Sequence, residues 1–125
     1  MDLRQYFETS EGMGALATSD SQGNVDAAIY ARPHIMDDGT AAFIMRPRLS
    51  YKNIQSNPKA AYLFIEEGAG YNGKRLYLKK VREEADPAAV EQLRRRPGGQ
   101  CGGEEQARVV YFRILNVRPL VGDHE

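Results

Sequence analysis

The sequence has few of the residues that would point to a metal, disulfide or membrane protein. It contains one cysteine, Cys101, and two histidines in 125 residues, which excludes an internal disulfide framework and gives no spaced ligand set for zinc. Its 17 Lys and Arg residues balance 17 Asp and Glu residues, so net charge provides no general attraction to nucleic acid or to an anionic membrane. Its apolar runs are far shorter than the roughly 20 residues of a membrane helix. We therefore expect no metal, nucleic-acid or membrane partner.

The chain also lacks motifs that would assign it directly to a known chemistry. Neither a P-loop nor a Rossmann GxGxxG motif is present. Cys101 has no CxxC partner and no adjacent basic activator, which argues against a redox or nucleophilic role. No charged and then apolar N-terminal segment suggests export, so a cytoplasmic location is expected. The length predicts one domain over residues 1–125.

The hydrophobic pattern predicts a mainly β chain with a few short helices. Three successive runs, 13–19, 25–35 and 40–46, are joined by turn-rich segments and predict consecutive antiparallel strands. The absence of βαβ alternation indicates a small antiparallel barrel with helices over its openings. The predicted elements are an N-terminal helix over 1–10, barrel strands over 13–82 interrupted by a helix at 50–57, a helix over 86–96, a flexible loop over 97–106 and a last strand over 108–120.

The stretch from Phe43 to Pro58 is the part around which the rest is organised. An apolar strand ends at a proline, and a turn carrying Arg46, Arg48 and Ser50 precedes the short helix. If Ser50 caps this helix, free backbone N–H groups and two guanidinium groups meet at its partly positive start, an arrangement that suits a phosphate. The alternative is a capped surface helix with two solvated arginines.

The second strand has two unlike faces, because successive side chains point to opposite sides. The polar and aromatic face lines a ligand, meets another subunit or faces water. Its members are Tyr30, Arg32 and His34, whereas Ile29, Ala31 and Pro33 share the other face.

A series of short segments occurs in an order typical of one superfamily. A hairpin is followed by a strand, a turn bearing Arg and Ser, a short helix ending in Asn-Pro, and a further apolar strand. The segments are Leu16-Ala17-Thr18, Gly23, Ala28 to Arg32, Phe43 to Arg46, Ser50, Asn53-Ile54, Asn57-Pro58 and Ala60 to Phe64. From Leu16 to Ile65 this order resembles the FMN-binding split barrels of the pyridoxamine 5′-phosphate oxidase-like superfamily.

The resemblance implies a fold, a cofactor and a set of contacts. The fold would be a six-stranded antiparallel split β-barrel of Greek-key type. The cofactor would be FMN, with two molecules at the interface of a homodimer. Lys52 is included among the implied phosphate contacts because Ser50 and Lys52 match a Ser-x-Lys pattern. The implied cofactor-binding residues are Ile29, Tyr30, Ala31, Arg32, Ile44, Met45, Arg46, Arg48, Leu49, Ser50 and Lys52.

The implied function is that of a flavin-dependent oxidoreductase or electron carrier of unknown substrate, and no catalytic residue is predicted. Pyridoxal phosphate synthesis is not expected, because the C-terminal arginine-bearing segment of the true oxidases has no counterpart after Leu120. A nicotinamide would have to stack on the flavin transiently. A homodimer is also predicted from the last strand, 108–120, whose two faces are both largely apolar.

Two other functions remain open at this stage. One is a binding module that holds haem or a deazaflavin in place of FMN, and a haem would need an axial ligand. The candidates for that ligand are His34, His124 and Cys101. The other is an interaction protein that kept the barrel without a cofactor.

Overall fold

Strands are the main secondary structure in a computed structural model, which describes residues 2–93 and 107–122. This confirms the prediction of a mainly β chain with a few short helices. The predicted loop 97–106 with Cys101, residues 94–96 of the predicted helix, and His124 lie outside the described residues. The helices are α1 (Leu3–Thr9), α2 (Leu49–Ser56) and α3 (Pro87–Leu93); the strands are β1 (Gly12–Ser19), β2 (Val25–Ile29), β3 (His34–Ile35), β4 (Ala41–Met45), β5 (Lys59–Glu66), β6 (Gly73–Glu84) and β7 (Arg108–Pro119).

The seven strands of the described residues belong to one sheet with the order β2-β1-β5-β6-β7-β4-β3, and their pairings are antiparallel. The two edge strands, β2 and β3, are separated in sequence only by residues 30–33. The chain therefore crosses from one edge of the curled sheet to the other within a few residues. This incomplete closure is the geometry of a split barrel, as the sequence predicted.

The predicted strand count was wrong. The described residues form seven strands rather than six, because the run 25–35 divides into β2 and β3 at a segment that ends in Pro33. Proline has no N–H to donate to a ladder, which favours the break. The three predicted runs pair antiparallel in sequence order, since β2 pairs with β1 and β3 pairs with β4; β4 pairs in addition with β7. The order is that of a Greek key.

The main core fills the barrel interior, and α1 and α2 cover it. Phe7, Phe43, Tyr62, Phe64 and Phe112 are almost fully buried there. Neighbouring rings meet edge to face or tilted, with centroids 5.0 to 6.3 Å apart, as aromatic quadrupoles prefer.

The apolar character of both faces of β7 has a cause within one chain. Val110 and Phe112 point into the main core. Val109 and Tyr111 pack with Val90 of α3 in a second cluster. This part of β7 is therefore buried on both faces without a partner subunit, so its pattern no longer argues for a dimer.

The turn between β4 and α2 differs from its predicted form at Ser50. The N-cap is Arg48, and it makes no side-chain capping bond. Ser50 lies inside the helix and is only 4% exposed, so the prediction that Ser50 caps α2 was wrong. The turn is tight, because Arg48 N donates to Arg46 O across Pro47 at 2.7 Å. At the other end Asn57 is the C-cap, and its N–H donates to Asn53 O.

Candidate functional site

A cavity of about 390 Å³ opens where β2, the end of β4 and the start of α2 meet. Its volume is in the range of about 300–1,000 Å³ that is usual for ligand sites. One end is polar and charged, and the remaining walls are apolar. The lining residues are Asp26, Ala28, Ile29, Tyr30, Ala31, Ile44, Arg46, Arg48, Leu49 and Ser50.

The Tyr30 phenol lies at the charged end of this cavity. Burial raises the pKa of Tyr30, and this effect outweighs the opposing influence of a side-chain hydrogen bond with Ser50 and of the positive charges of Arg48 and Arg46. Asp26 adds a negative charge that acts in the same direction as burial. The phenol therefore stays protonated at neutral pH, where it can donate or accept a hydrogen bond.

Hydrogen bonds from the barrel fix the backbone at Tyr30. Tyr30 N donates to Gly14 O at 3.0 Å, and the Tyr62 hydroxyl donates to Tyr30 O at 3.1 Å. Gly14 is necessary here, because a Cβ at that position would lie 1.9 Å from Tyr62 Oη. The chain therefore holds Tyr30 at the point where it leaves β2.

Helix α2 is attached to the barrel by its inner face. Asn53 Nδ2 donates to Thr18 Oγ1 of β1 at 3.0 Å, and both side chains are buried. Ile54 beside them is 1% exposed and belongs to the main core. The first turn of α2 therefore has a defined position relative to β2. Its first backbone N–H groups have no partner within the helix, as at every helix start.

Most of the residues predicted to contact the cofactor lie around this one cavity, and three do not. Met45 is fully buried in the main core. Lys52 faces a neighbouring surface depression together with Tyr51 and Gln55. Arg32 donates to the backbone oxygens of Phe7 and Ser10 at the end of α1. The predicted residues in the cavity are Ile29, Tyr30, Ala31, Ile44, Arg46, Arg48, Leu49 and Ser50.

Sequence reasoning missed Asp26 and Ala28, which complete the wall formed by β2. A signal was available, because period-2 alternation places Asp26, Ala28 and Tyr30 on one face of the strand. That face is half-buried, whereas Val25, Ala27 and Ile29 are exposed.

A smaller cavity of about 80 Å³ adjoins the first and shares Tyr30, Ala31 and Ile44 with it. His34, the histidine that lies within the described residues, is in its wall. Within residues 2–93 and 107–122, no group of His, Cys, Asp and Glu side chains could hold a metal ion. Over the same residues, none of the helices has the length and apolar character needed to span a bilayer.

Comparison with known proteins identifies the fold. No profile of a known protein family matches the sequence, and no curated protein sequence matches it. Solved structures do match. An FMN-binding protein from Syntrophomonas wolfei superimposes with a TM-score of 0.76 at 15% identity, covering 95% of this chain and 84% of that chain. The chain has the split-barrel fold of the pyridoxamine 5′-phosphate oxidase-like proteins.

Two other solved structures are similar to this chain. An F420 reductase matches with a TM-score of 0.66 at 17% identity, covering 94% of this chain and 97% of that chain. A candidate pyridoxamine 5′-phosphate oxidase from Lactobacillus delbrueckii matches with a TM-score of 0.68 at 17% identity, covering 94% and 91%. At these identities the likeness is one of fold, so the chemistry of this split barrel must be argued from its own cavity.

Proposed function

We propose that the cavity between β2, β4 and α2 binds FMN and that the protein is a flavin-dependent oxidoreductase or electron carrier. The observation that carries this proposal is that Arg46, Arg48, Ser50 and Tyr30, with Asp26, line a cavity whose other lining residues are apolar. FMN has the matching division, with a charged phosphate at one end and a flat, mostly apolar ring at the other.

The phosphate would lie at the turn between β4 and α2. A phosphomonoester carries roughly two negative charges near neutral pH. The Arg46 and Arg48 guanidinium groups can form charge-assisted hydrogen bonds with it, and the first N–H groups of α2 add donors and a favourable dipole. Asp26 opposes a second negative group in the same cavity, so the charge balance suits a monophosphate.

The ring would lie along the apolar walls formed by Ile29, Ala31 and Ile44. Ile29 is 69% exposed and Leu49 is 52% exposed, although both are large apolar residues at the cavity. A bound ring would remove apolar surface of this kind from water. When bound, FMN would supply electron or hydride transfer, and the protein would supply binding, orientation and exclusion of water.

A homodimer is part of the proposal, but its support is now a different surface. On the outer face of β1, β2 and β5 most side chains are small or apolar, and the charged residue there is Lys59 at the start of β5. A second copy of the chain could cover this face together with the open side of the cavity. Its members are Met13, Ala15, Ala17, Val25, Ala27, Ile29, Ala61, Leu63 and Ile65.

A deazaflavin is the second candidate cofactor, because an F420 reductase is among the proteins with the same fold. Both cofactors would place a phosphate at the same turn and a flat ring along the same walls. Haem has less support: His34 lies at a cavity of only about 80 Å³, well below the usual size of a ligand site. Titration of the apoprotein with FMN, the deazaflavin and haem separates the three cofactors.

The test of the phosphate site is a double substitution. In R46A/R48A, FMN affinity should fall by about 100-fold or more, because two charge-assisted hydrogen bonds of about 1.5–3 kcal/mol each are lost. Fluorescence quenching of FMN measures the dissociation constant, and circular dichroism checks the fold.

The matched control is R82A/R113A, which removes the same charge from β6 and β7 away from the cavity walls. FMN affinity should then stay within about threefold, since distant surface charges contribute little. Equal losses in both double variants, or no loss in R46A/R48A, would contradict the proposed phosphate site.

A further inference from the structure

Glu83 of β6 forms a hydrogen-bonded network on the outer side of α2. The Tyr51 hydroxyl donates to Glu83 Oε2 at 2.5 Å, and Gln55 Nε2 donates to Glu83 Oε1 at 3.1 Å. Tyr51 and Gln55 are four residues apart and so lie on one face of the helix. One carboxylate therefore binds two successive turns of α2.

Two cations balance the charge of this carboxylate. Lys80 Nζ donates to Glu83 Oε1 at 2.7 Å and to Gln55 Oε1 at 3.3 Å. Arg108 Nη1 of β7 lies 3.5 Å from Glu83 Oε2, and its guanidinium group stands 5.5 Å from the Tyr51 ring centroid. The side chain of Glu83 is only 21% exposed. The network thus connects α2 to β6 and β7 through charge-assisted bonds in a partly dehydrated place.

This attachment complements the one on the inner face of α2. Asn53 fixes the inner face of the helix to β1 through Thr18. The Glu83 network holds the outer face, and so opposes rotation of the helix about the Asn53 contact. Tyr51 directly follows Ser50 and lies in the first turn. Glu83 is not among the side chains that line the large cavity, so it would act through the helix.

We infer that Glu83 is a positioning residue that fixes the first turn of α2, and with it Arg48 and Ser50, in the orientation that binds the cofactor phosphate. The inference rests on the proposed function, and it extends the site to residues on β6 and β7. It predicts a selective effect: loss of the network should weaken binding of the cofactor phosphate and leave binding of the ring by the apolar walls unchanged.

The experiment compares FMN with riboflavin, which has the same ring and ribityl chain but no phosphate. The ratio of the two dissociation constants isolates the phosphate contribution. In E83A this ratio should fall by about tenfold, and in Y51F, which removes only the hydroxyl, by about threefold. Riboflavin affinity should stay within about twofold in both. A merely structural role would lower the melting temperature without changing the ratio.

The matched control is E84A, which removes the next carboxylate along β6; Glu84 accepts from Tyr111 and not from α2. If E83A fails to fold, Y51F decides the question. A wild-type protein that binds FMN no better than riboflavin would remove the phosphate site and this inference together. A wild-type preference for FMN that Y51F and E83A retain would overturn the inference alone.

Discussion

Asp26 and Tyr30 determine how the charged end of the cavity differs from a simple basic patch. The two residues lie on the same face of the chain as it leaves β2 and line the cavity together with Arg46 and Arg48. A carboxylate beside two guanidinium groups lowers the net positive charge that a ligand meets. On the proposed function, we therefore expect the cavity to bind one phosphate in preference to a diphosphate.

Gly14 provides a prediction about stability at the same scale. A Cβ there would lie 1.9 Å from Tyr62 Oη and 2.4 Å from Cζ, inside a packed core. G14A should lower the free energy of unfolding by about 1–3 kcal/mol, as overpacking does. Urea unfolding of the wild-type and variant proteins measures the change.

The double variant G14A/Y62F serves as the control for that mechanism. Removing the hydroxyl relieves the nearest clash, so the cost of G14A should be smaller in the Y62F background. A wild-type stability for G14A, or an equal cost in both backgrounds, would mean that the glycine is not required for space.

The positions of some site residues could be predicted from the sequence, and those of others could not. Alternation places Met45 on the same face as Phe43, and both side chains are buried, so the burial of Met45 could be predicted from the sequence. Arg32 is different, because its acceptors Phe7 and Ser10 are more than 20 residues away in the chain. Such a tertiary contact leaves no local signal.

Helix α2 is the element on which the site depends. Its end was predictable, since Asn57-Pro58 stops a helix. Its start was not, because Ser50 is taken up by burial and by its hydrogen bond with Tyr30 rather than by capping. The capping preference of serine is overridden here by the tertiary contact between Ser50 and Tyr30.

The Glu83 network predicts how α2 responds to acid. Burial alone would raise the pKa of Glu83, but hydrogen bonds from Lys80, Tyr51 and Gln55 outweigh it and lower the pKa from 4.5 to about 2. A folded-state pKa below the unfolded value stabilises the fold above about pH 4.5, and this contribution is lost as pH falls towards 2. Asp20 and Asp38, whose pKa values are also lowered, act in the same direction.

The substitution E83Q separates the contribution of Glu83 from the others. Stability should decline less steeply between about pH 4.5 and pH 2 in E83Q than in the wild type, because glutamine does not titrate. Urea midpoints measured across this interval check the prediction. Parallel declines in the two proteins would assign the acid sensitivity to other carboxylates.

At the scale of the whole molecule, the split barrel leaves one broad, mostly apolar face, formed by the outward residues of β1, β2 and β5, with Lys59 at one end of β5. We expect a dimer of twice the 14.0 kDa chain mass in light scattering at micromolar concentration. A17D places a charge in the middle of this face and should yield a monomer with an unchanged circular dichroism spectrum, since a buried unpaired charge opposes association.

The control Q22D adds the same charge in the exposed turn between β1 and β2 and should remain dimeric. A monomeric wild type would contradict the proposed dimer. A dimeric A17D would move the interface to another surface.

The fold as a whole was more predictable than its connections. The strand count depended on a break before Pro33, and the Greek-key order on pairings between distant segments such as β1 with β5 and β4 with β7. Period-2 patterns indicate that a strand exists and which face is buried, but they do not name its neighbour. The resemblance over residues 16–65 supplied the split-barrel arrangement that local patterns could not.

The most direct test of the central claim is a crystal structure of the protein with FMN. The account predicts the phosphate at the turn between β4 and α2, within hydrogen-bond distance of Arg46 and Arg48, and the flavin ring along Ile29 and Ile44. A cavity filled by the protein's own side chains, with FMN absent or bound elsewhere, would contradict it.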